Sequence, residues 1–202
     1  MSKIKFCGLT RECDIEVANE LNIDYIGFVF VPKRRRYVNK EQATKLKRLL
    51  KTSIRAVGVF VNEQVDVVAD LLNSGVIDIA QLHGTEDEAY ISKLRTLTAK
   101  PIIKAFILNS EADVSRVMQS TADYVLLDSG TGTGNVFDWS LVKNITRDYF
   151  LAGGLSPENV GSAILTLNPF ALDVSSGIET EGVKDPQKMR AFINNANIER
   201  NN

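Results

Sequence analysis

Two residues that close apolar runs carry groups able to move a proton. Cys7 ends the run that begins at Lys3, and Asp128 ends Val125-Leu126-Leu127. A thiolate can take a proton from carbon and a carboxyl group can give one to oxygen, provided both face the same substrate. Each also has a plain structural reading: Cys7 as a small buried hydrophobe, Asp128 as the cap of a loop. Arg36 closes the basic run Lys33-Arg34-Arg35-Arg36; that run reads either as a solvated loop or, at Arg36, as a fork for a substrate carboxylate. His83, the only histidine, follows Gln81-Leu82 and reads as a hydrogen-bonding wall residue or a cap. With one histidine and only Cys7 and Cys13 as thiols, ligands for a zinc site are too few. Asp173 lies within an apolar run, where an inward carboxylate must be hydrogen-bonded or meet a ligand.

A second kind of chemistry is anion binding. Phe150-Leu151-Ala152-Gly153-Gly154 and Ala171-Leu172-Asp173-Val174-Ser175-Ser176-Gly177 both run from apolar residues into a glycine or serine turn. Small side chains leave backbone N–H groups uncovered, so Gly153, Gly154, Ser175, Ser176 and Gly177 together could cradle a phosphate. Ser156 before Pro157 reads as the cap of a helix whose positive end faces the same way. The alternative is two ordinary strand-ending turns.

These residues need a frame that brings them together. Eight apolar runs read as strands: Lys3–Cys7, Tyr25–Val31, Ile54–Val61, Ile77–Leu82, Pro101–Ile107, Tyr124–Asp128, Phe150–Ala152 and Phe170–Val174. Helical stretches fall between them. Their starts read as Asn39 with Gln42, Thr85 with Glu88, Ser156 before Pro157 and Asp185 before Pro186. Val65, Val68, Leu71 and Leu72 make one apolar helical stripe, and Val160, Ala163, Ile164 and Leu167 another. Strand and helix alternating eight times predict an α/β fold, a single-domain (β/α)₈ barrel over residues 1–202. An open doubly wound sheet is the alternative, but its glycine fingerprint should follow the first strand, where only Gly8 stands. In a barrel the strand ends share one mouth, and the phosphate grip commonly follows strands seven and eight. Cys7 on strand one and Asp128 on strand six would then flank a substrate anchored by the two turns.

The bulk numbers agree with a soluble globular protein whose partner is a small molecule. The chain has 202 residues, 44% of them hydrophobic, with 24 basic and 25 acidic side chains and a formal net charge of -1. No global basic field points to nucleic acid or to an anionic membrane, and no apolar stretch approaches a membrane span. Met1–Leu9 mixes polar and basic residues rather than forming a secretory leader, so the expected setting is a reducing cytoplasm with free thiols. The expected assembly is a monomer or homodimer.

Taken in order, the motifs resemble the phosphoribosylanthranilate isomerases of tryptophan biosynthesis. The matching stretches are Lys5–Thr10, Gly27–Phe30 with Arg36-Tyr37-Val38, Val57–Asn62, Gln81–Gly84, Leu127-Asp128, Phe137-Asp138-Trp139, Ala152–Val160 and Asp173–Glu179. The resemblance implies an Amadori rearrangement without metal or organic cofactor. It implies Cys7 as general base, Asp128 as general acid, Arg36 on the anthranilate carboxylate and the two turns on the phosphate, with His83 and Asp173 in supporting contacts. Arg34 departs from the family, which often has Ser there, and Asn135 departs from a frequent Lys; both concern loop contacts. A metal-dependent epimerase, a thiamin-phosphate-type synthase and a non-catalytic phosphate sensor are the competing readings.

Overall fold

The computed structural model describes residues 2–128 and 139–200, with side chains described for 2–128 and 140–197. The glycine-rich stretch Ser129–Gly134, the residues Asn135, Phe137 and Asp138, and the side chain of Trp139 lie outside the described residues.

Eight parallel strands close into a barrel in chain order: β1 (Lys3–Cys7), β2 (Tyr25–Val29), β3 (Arg55–Phe60), β4 (Ile79–Leu82), β5 (Ile102–Ile107), β6 (Tyr124–Asp128), β7 (Tyr149–Leu151) and β8 (Ala171–Val174). Pairing of β8 with β1, with Lys5 opposite Asp173, makes the closure. The helices are α1 (Glu12–Leu21), α2 (Lys40–Leu49), α3 (Val65–Asn73), α4 (Glu88–Leu97), α5 (Glu111–Gln119), α6 (Trp139–Val142), α7 (Val160–Leu167) and α8 (Pro186–Arg200). This is the predicted single-domain (β/α)₈ barrel. An antiparallel ribbon absent from the sequence reading, β9 (Glu179–Thr180) with β10 (Val183–Lys184), stands between β8 and α8.

Strand alternation sorts the core into two parts, because successive side chains point to opposite faces. Ile4, Phe6, Leu172 and Val174 face outward into the shell between strands and helices, where Phe6 meets Phe192 edge-on at 6.1 Å. The stripe Val65, Val68, Leu71 and Leu72 of α3 is buried in the same shell. Tyr25, Val57, Ile79, Ile103, Leu126, Phe150 and Ala171 face inward and fill the barrel. Phe150 is fully buried against Tyr25, Tyr124 and Phe170 at ring distances of 5.4, 5.8 and 5.7 Å. Lys3 extends its ammonium over Phe170, 5.0 Å from the ring centre. Inward residues filling the barrel leave the carboxyl ends of the strands as the place for a site.

Two helix starts differ from the sequence reading. The Asp87 carboxylate, not Thr85, caps α4 by accepting the Tyr90 N–H at 2.9 Å; the Thr85 hydroxyl instead donates to Asn62. The Ser156-Pro157 segment is a turn, and α7 begins at Val160. The Asn159 side chain explains the delay: it accepts the Ser156 N–H at 2.9 Å and donates to the Gly154 carbonyl at 2.8 Å, closing a loop before the helix. Asn39 and Asp185 cap as expected, accepting the N–H groups of Gln42 and Gln187, both at 2.8 Å.

Candidate active site

The alternation that fills the barrel also aims chemistry at its mouth. On β1 the inward positions are Lys3, Lys5 and Cys7; on β8 Ala171 and Asp173 point inward, with Ser175 just beyond the strand. Gln81 ends the inward set of β4, and His83 follows it. A cavity of about 640 Å³ opens there, lined by Cys7, Arg36, His83, Asp128, Gly153, Gly154, Asp173, Ser175 and Ser176 among others. The structure thus brings together every candidate residue except Gly177, which lies directly behind the lining. A Cβ on Gly177 would stand 1.9 Å from the Leu155 carbonyl oxygen, so only glycine lets the turn after β8 press against the turn after β7. Gly153 and Gly154 both have positive φ, at 86° and 65°, and neither N–H bonds to another described backbone group. The Ser175 hydroxyl is committed elsewhere, donating to the Cys7 carbonyl at 3.0 Å, which leaves its backbone as the part able to meet an anion.

Cys7 and Cys13 are both free thiols, Cys7 buried and Cys13 exposed. Burial pushes the Cys7 thiol above its ordinary pKa; the Lys5 ammonium pulls it down, Asp173 pushes it up and Lys184 pulls it down again. Burial disfavours the Lys5 ammonium, but Asp173 and then Cys7 outweigh that and hold its pKa above the usual lysine value. Lys5 is wholly buried and donates to Asp173 Oδ2 at 2.8 Å.

Asp128 stands in a different setting. His83 Nε2 lies 3.2 Å from Asp128 Oδ2, and Gln81 Nε2 lies 2.8 Å from His83 Nδ1. With the Gln81 amide donating to Nδ1, the imidazole carries its proton on Nε2 and donates it to Asp128. His83 is therefore a hydrogen-bonding wall residue. A neighbouring cavity of about 490 Å³ shares His83 and Asp128, so the pair stands between two open volumes.

Arg36 lines the main cavity, but two of its donors are already engaged. Its Nε and Nη2 donate to the Glu179 carboxylate at 2.6 and 2.7 Å. Arg35 joins at 2.8 Å from an exposed loop, as its solvated-loop reading expects, and the buried Lys184 joins at 2.6 Å. Burial raises the Glu179 pKa, yet hydrogen bonds from Arg36 and Lys184 and their charges bring it below the usual carboxylate range. Three cations around one carboxylate leave an excess of positive charge at the cavity edge, which suits a substrate carrying a carboxylate.

Sequence reasoning gave no role to Lys5, Gln81, Glu179 or Lys184. Lys5 and Gln81 each left a signal, a polar residue inside an apolar strand. Lys184 left none, because its role depends on the β9–β10 ribbon. Among the described residues no cluster of three His, Cys, Asp or Glu side chains could hold a metal, and no helix is long and apolar enough to cross a membrane.

Against known proteins, the family model for N-(5'-phosphoribosyl)anthranilate (PRA) isomerase matches residues 4–195. The chain belongs to the N-(5'-phosphoribosyl)anthranilate isomerase family. The Clostridium acetobutylicum N-(5'-phosphoribosyl)anthranilate isomerase is 44% identical over 202 residues, covering 96% of this chain and 97% of that one. The solved phosphoribosyl anthranilate isomerase of Thermotoga maritima is 38% identical, with a TM-score of 0.89 over 98% of this chain and 99% of the other. A solved phosphoribosyl anthranilate isomerase in complex with reduced 1-(o-carboxyphenylamino)-1-deoxyribulose 5-phosphate is 37% identical, with a TM-score of 0.86 over 98% and 99% of the two chains. As a PRA isomerase, the chain is an enzyme of tryptophan biosynthesis that converts PRA to 1-(2-carboxyphenylamino)-1-deoxyribulose 5-phosphate.

Proposed function

We propose that this isomerisation runs by acid-base catalysis across the barrel mouth, with Cys7 as base and Asp128 as acid. The observation that carries the reading is the sharing of one cavity by Cys7 on β1, Asp128 on β6 and the paired turns after β7 and β8. The turns hold the substrate phosphate through backbone N–H groups, and the cationic edge at Arg36 takes the anthranilate carboxylate. Asp128 gives its proton to the ribose ring oxygen; the C1'–O bond breaks as the nitrogen lone pair forms a C=N bond. Cys7 then takes the C2' proton, the freed electron pair becomes the C1'=C2' double bond of an enol, and the C=N electrons return to nitrogen. Tautomerisation to the ketone completes the rearrangement. His83 and Asp173 act through the groups that do the chemistry, His83 by its hydrogen bond to Asp128 and Asp173 by its ion pair with Lys5.

Every residue in this reading comes from one chain, so a monomer suffices and a homodimer would carry two independent sites. Two free cysteines, one of them the base, fit the reducing cytoplasm. The test follows loss of the anthranilate-type fluorescence of the substrate. Cys7→Ala and Asp128→Asn should each lower turnover by roughly 100-fold or more while the fold, read by circular dichroism, persists. Near-wild-type turnover in either variant removes that residue from its role.

A further inference from the structure

An ammonium buried in a barrel needs a reason. The inward positions around it are filled by Val57, Ile79, Ile103, Leu126 and Phe150, and a buried ion pair is often no more stabilising than apolar side chains of similar volume. Lys5 and Asp173 form such a pair, with side-chain exposures of 0% and 6%. They face each other in register across the β1–β8 seam, and Cys7 stands two residues along β1 on the same inward face. The Cys7 sulfur fills the space that Gly27, opposite it on β2, leaves open: a Cβ on Gly27 would come within 2.7 Å of it. An ammonium has three N–H donors, and Asp173 Oδ2 takes one; Asp173 Oδ1 has no partner among the described residues. The groups that face Cys7 with charge are Lys5 from its own strand, Asp173 from β8, Lys184 from β10 and Arg36 from the loop before α2. Of these, Arg36 and Lys184 are tied to Glu179.

We infer that Lys5, held beneath the cavity by Asp173, is the positioning counter-ion that supports the thiolate form of Cys7 during catalysis. The inference rests on Cys7 as the base. In the proton-abstraction step the C2' proton passes to sulfur, the thiolate becomes a thiol, and Lys5 keeps its own proton throughout. Asp173 has two effects: it keeps Lys5 charged and in place, and its own negative charge opposes thiolate formation. The two partners of one ion pair therefore push the thiol in opposite directions.

The experiment titrates Cys7 directly, using the β-carbon resonance of ¹³C-labelled cysteine in a Cys13→Ser background. Asp173→Asn keeps the shape and a hydrogen bond to Lys5 while removing the negative charge. Its titration midpoint should fall by about one pH unit, a roughly tenfold larger thiolate fraction near neutrality. Lys5→Met should raise the midpoint by a similar amount, and the acid limb of the kcat profile should move with it. If Lys5→Met does not fold, Lys5→Gln, which keeps a donor toward Asp173 without the charge, should raise the midpoint in the same way. Midpoints that stay put in both variants, or that move in the same direction, overturn the inference. Failure of the underlying reading shows separately: Cys7→Ala would keep its turnover whatever the midpoints do.

Discussion

The two flanks of the cavity differ in how buried they are. On the Cys7 side the nearby groups are charged and buried: Lys5 with Asp173, and Lys184 with Glu179, with side-chain exposures of 0%, 6%, 2% and 5%. On the Asp128 side a described hydrogen-bond chain runs from the Gln81 amide through His83 to Asp128, with exposures of 32% for His83 and 24% for Asp128, and the buried Lys104–Glu86 pair lines the neighbouring cavity. The contrast fits the roles proposed above. A buried thiol resists ionisation, so cations beside it favour its use as a base. A carboxyl proposed to keep a proton is better served by partners that do not stabilise its anion as strongly as a full cation would. On those roles, the difference teaches that one barrel mouth can set an acid and a base in different surroundings.

The largest effects should come from breaking both flanks at their tips. Cys7→Ala and Asp128→Asn should each lower kcat by roughly 100- to 10,000-fold, the range for loss of a general acid or base. If the flanks are unequal in the way described, Cys7 loss should leave KM nearly unchanged. Steady-state fluorescence kinetics over a range of substrate concentrations separates the two parameters.

The next effect concerns binding. Arg36→Ala removes one cation and leaves the buried Glu179 with Lys184 and the more exposed Arg35. Substrate binding should weaken by about 2 kcal/mol, the low end for truncating a charged pair, because Arg36 is partly exposed. An unchanged KM would take Arg36 out of the carboxylate site. Smaller again is the relay on the acid side. Gln81→Met keeps the volume of the side chain but frees His83 Nδ1, and kcat should fall by about tenfold with a shift in the alkaline limb of its pH profile. A uniform loss across pH would mean that Gln81 serves packing and not the proton on Asp128.

Much of this was legible in the sequence, for identifiable reasons. The strands of a parallel barrel are buried on both faces, so they read as apolar runs. Lys3–Cys7 and Tyr124–Asp128 match their strands at both ends. The placement of Cys7 and Asp128 at the cavity was legible because each closes such a run. Lys5 was not, since a charged residue inside an apolar run has meaning only once β8 brings Asp173 opposite it. Glu179 was hidden for a related cause, since its partner Arg36 lies 143 residues away, and Lys184 because only the β9–β10 ribbon brings it to Glu179. Local capping failed where two acceptors compete. Thr85 and Asp87 both precede α4, and the carboxylate won because a charged acceptor binds N–H groups at a helix start more strongly than a hydroxyl.

The smallest predicted effect asks whether the charges on the Cys7 side also hold the fold. Glu179 has a folded-state pKa below its ordinary value. A carboxylate depressed in the folded state contributes stability in full above its unfolded pKa and loses it as pH falls through the folded value. Glu179→Gln keeps the shape but cannot be ionised, so it leaves Arg36 and Lys184 facing each other without a compensating charge. Near neutral pH the variant should melt below the wild type, by on the order of a few degrees. As the pH drops below the carboxylate range the wild type loses the same interaction by protonation, and the two melting temperatures should converge. A gap that stays constant across the acid range would mean that the Glu179 cluster is held by packing. The charged flank would then serve the substrate and Cys7 alone.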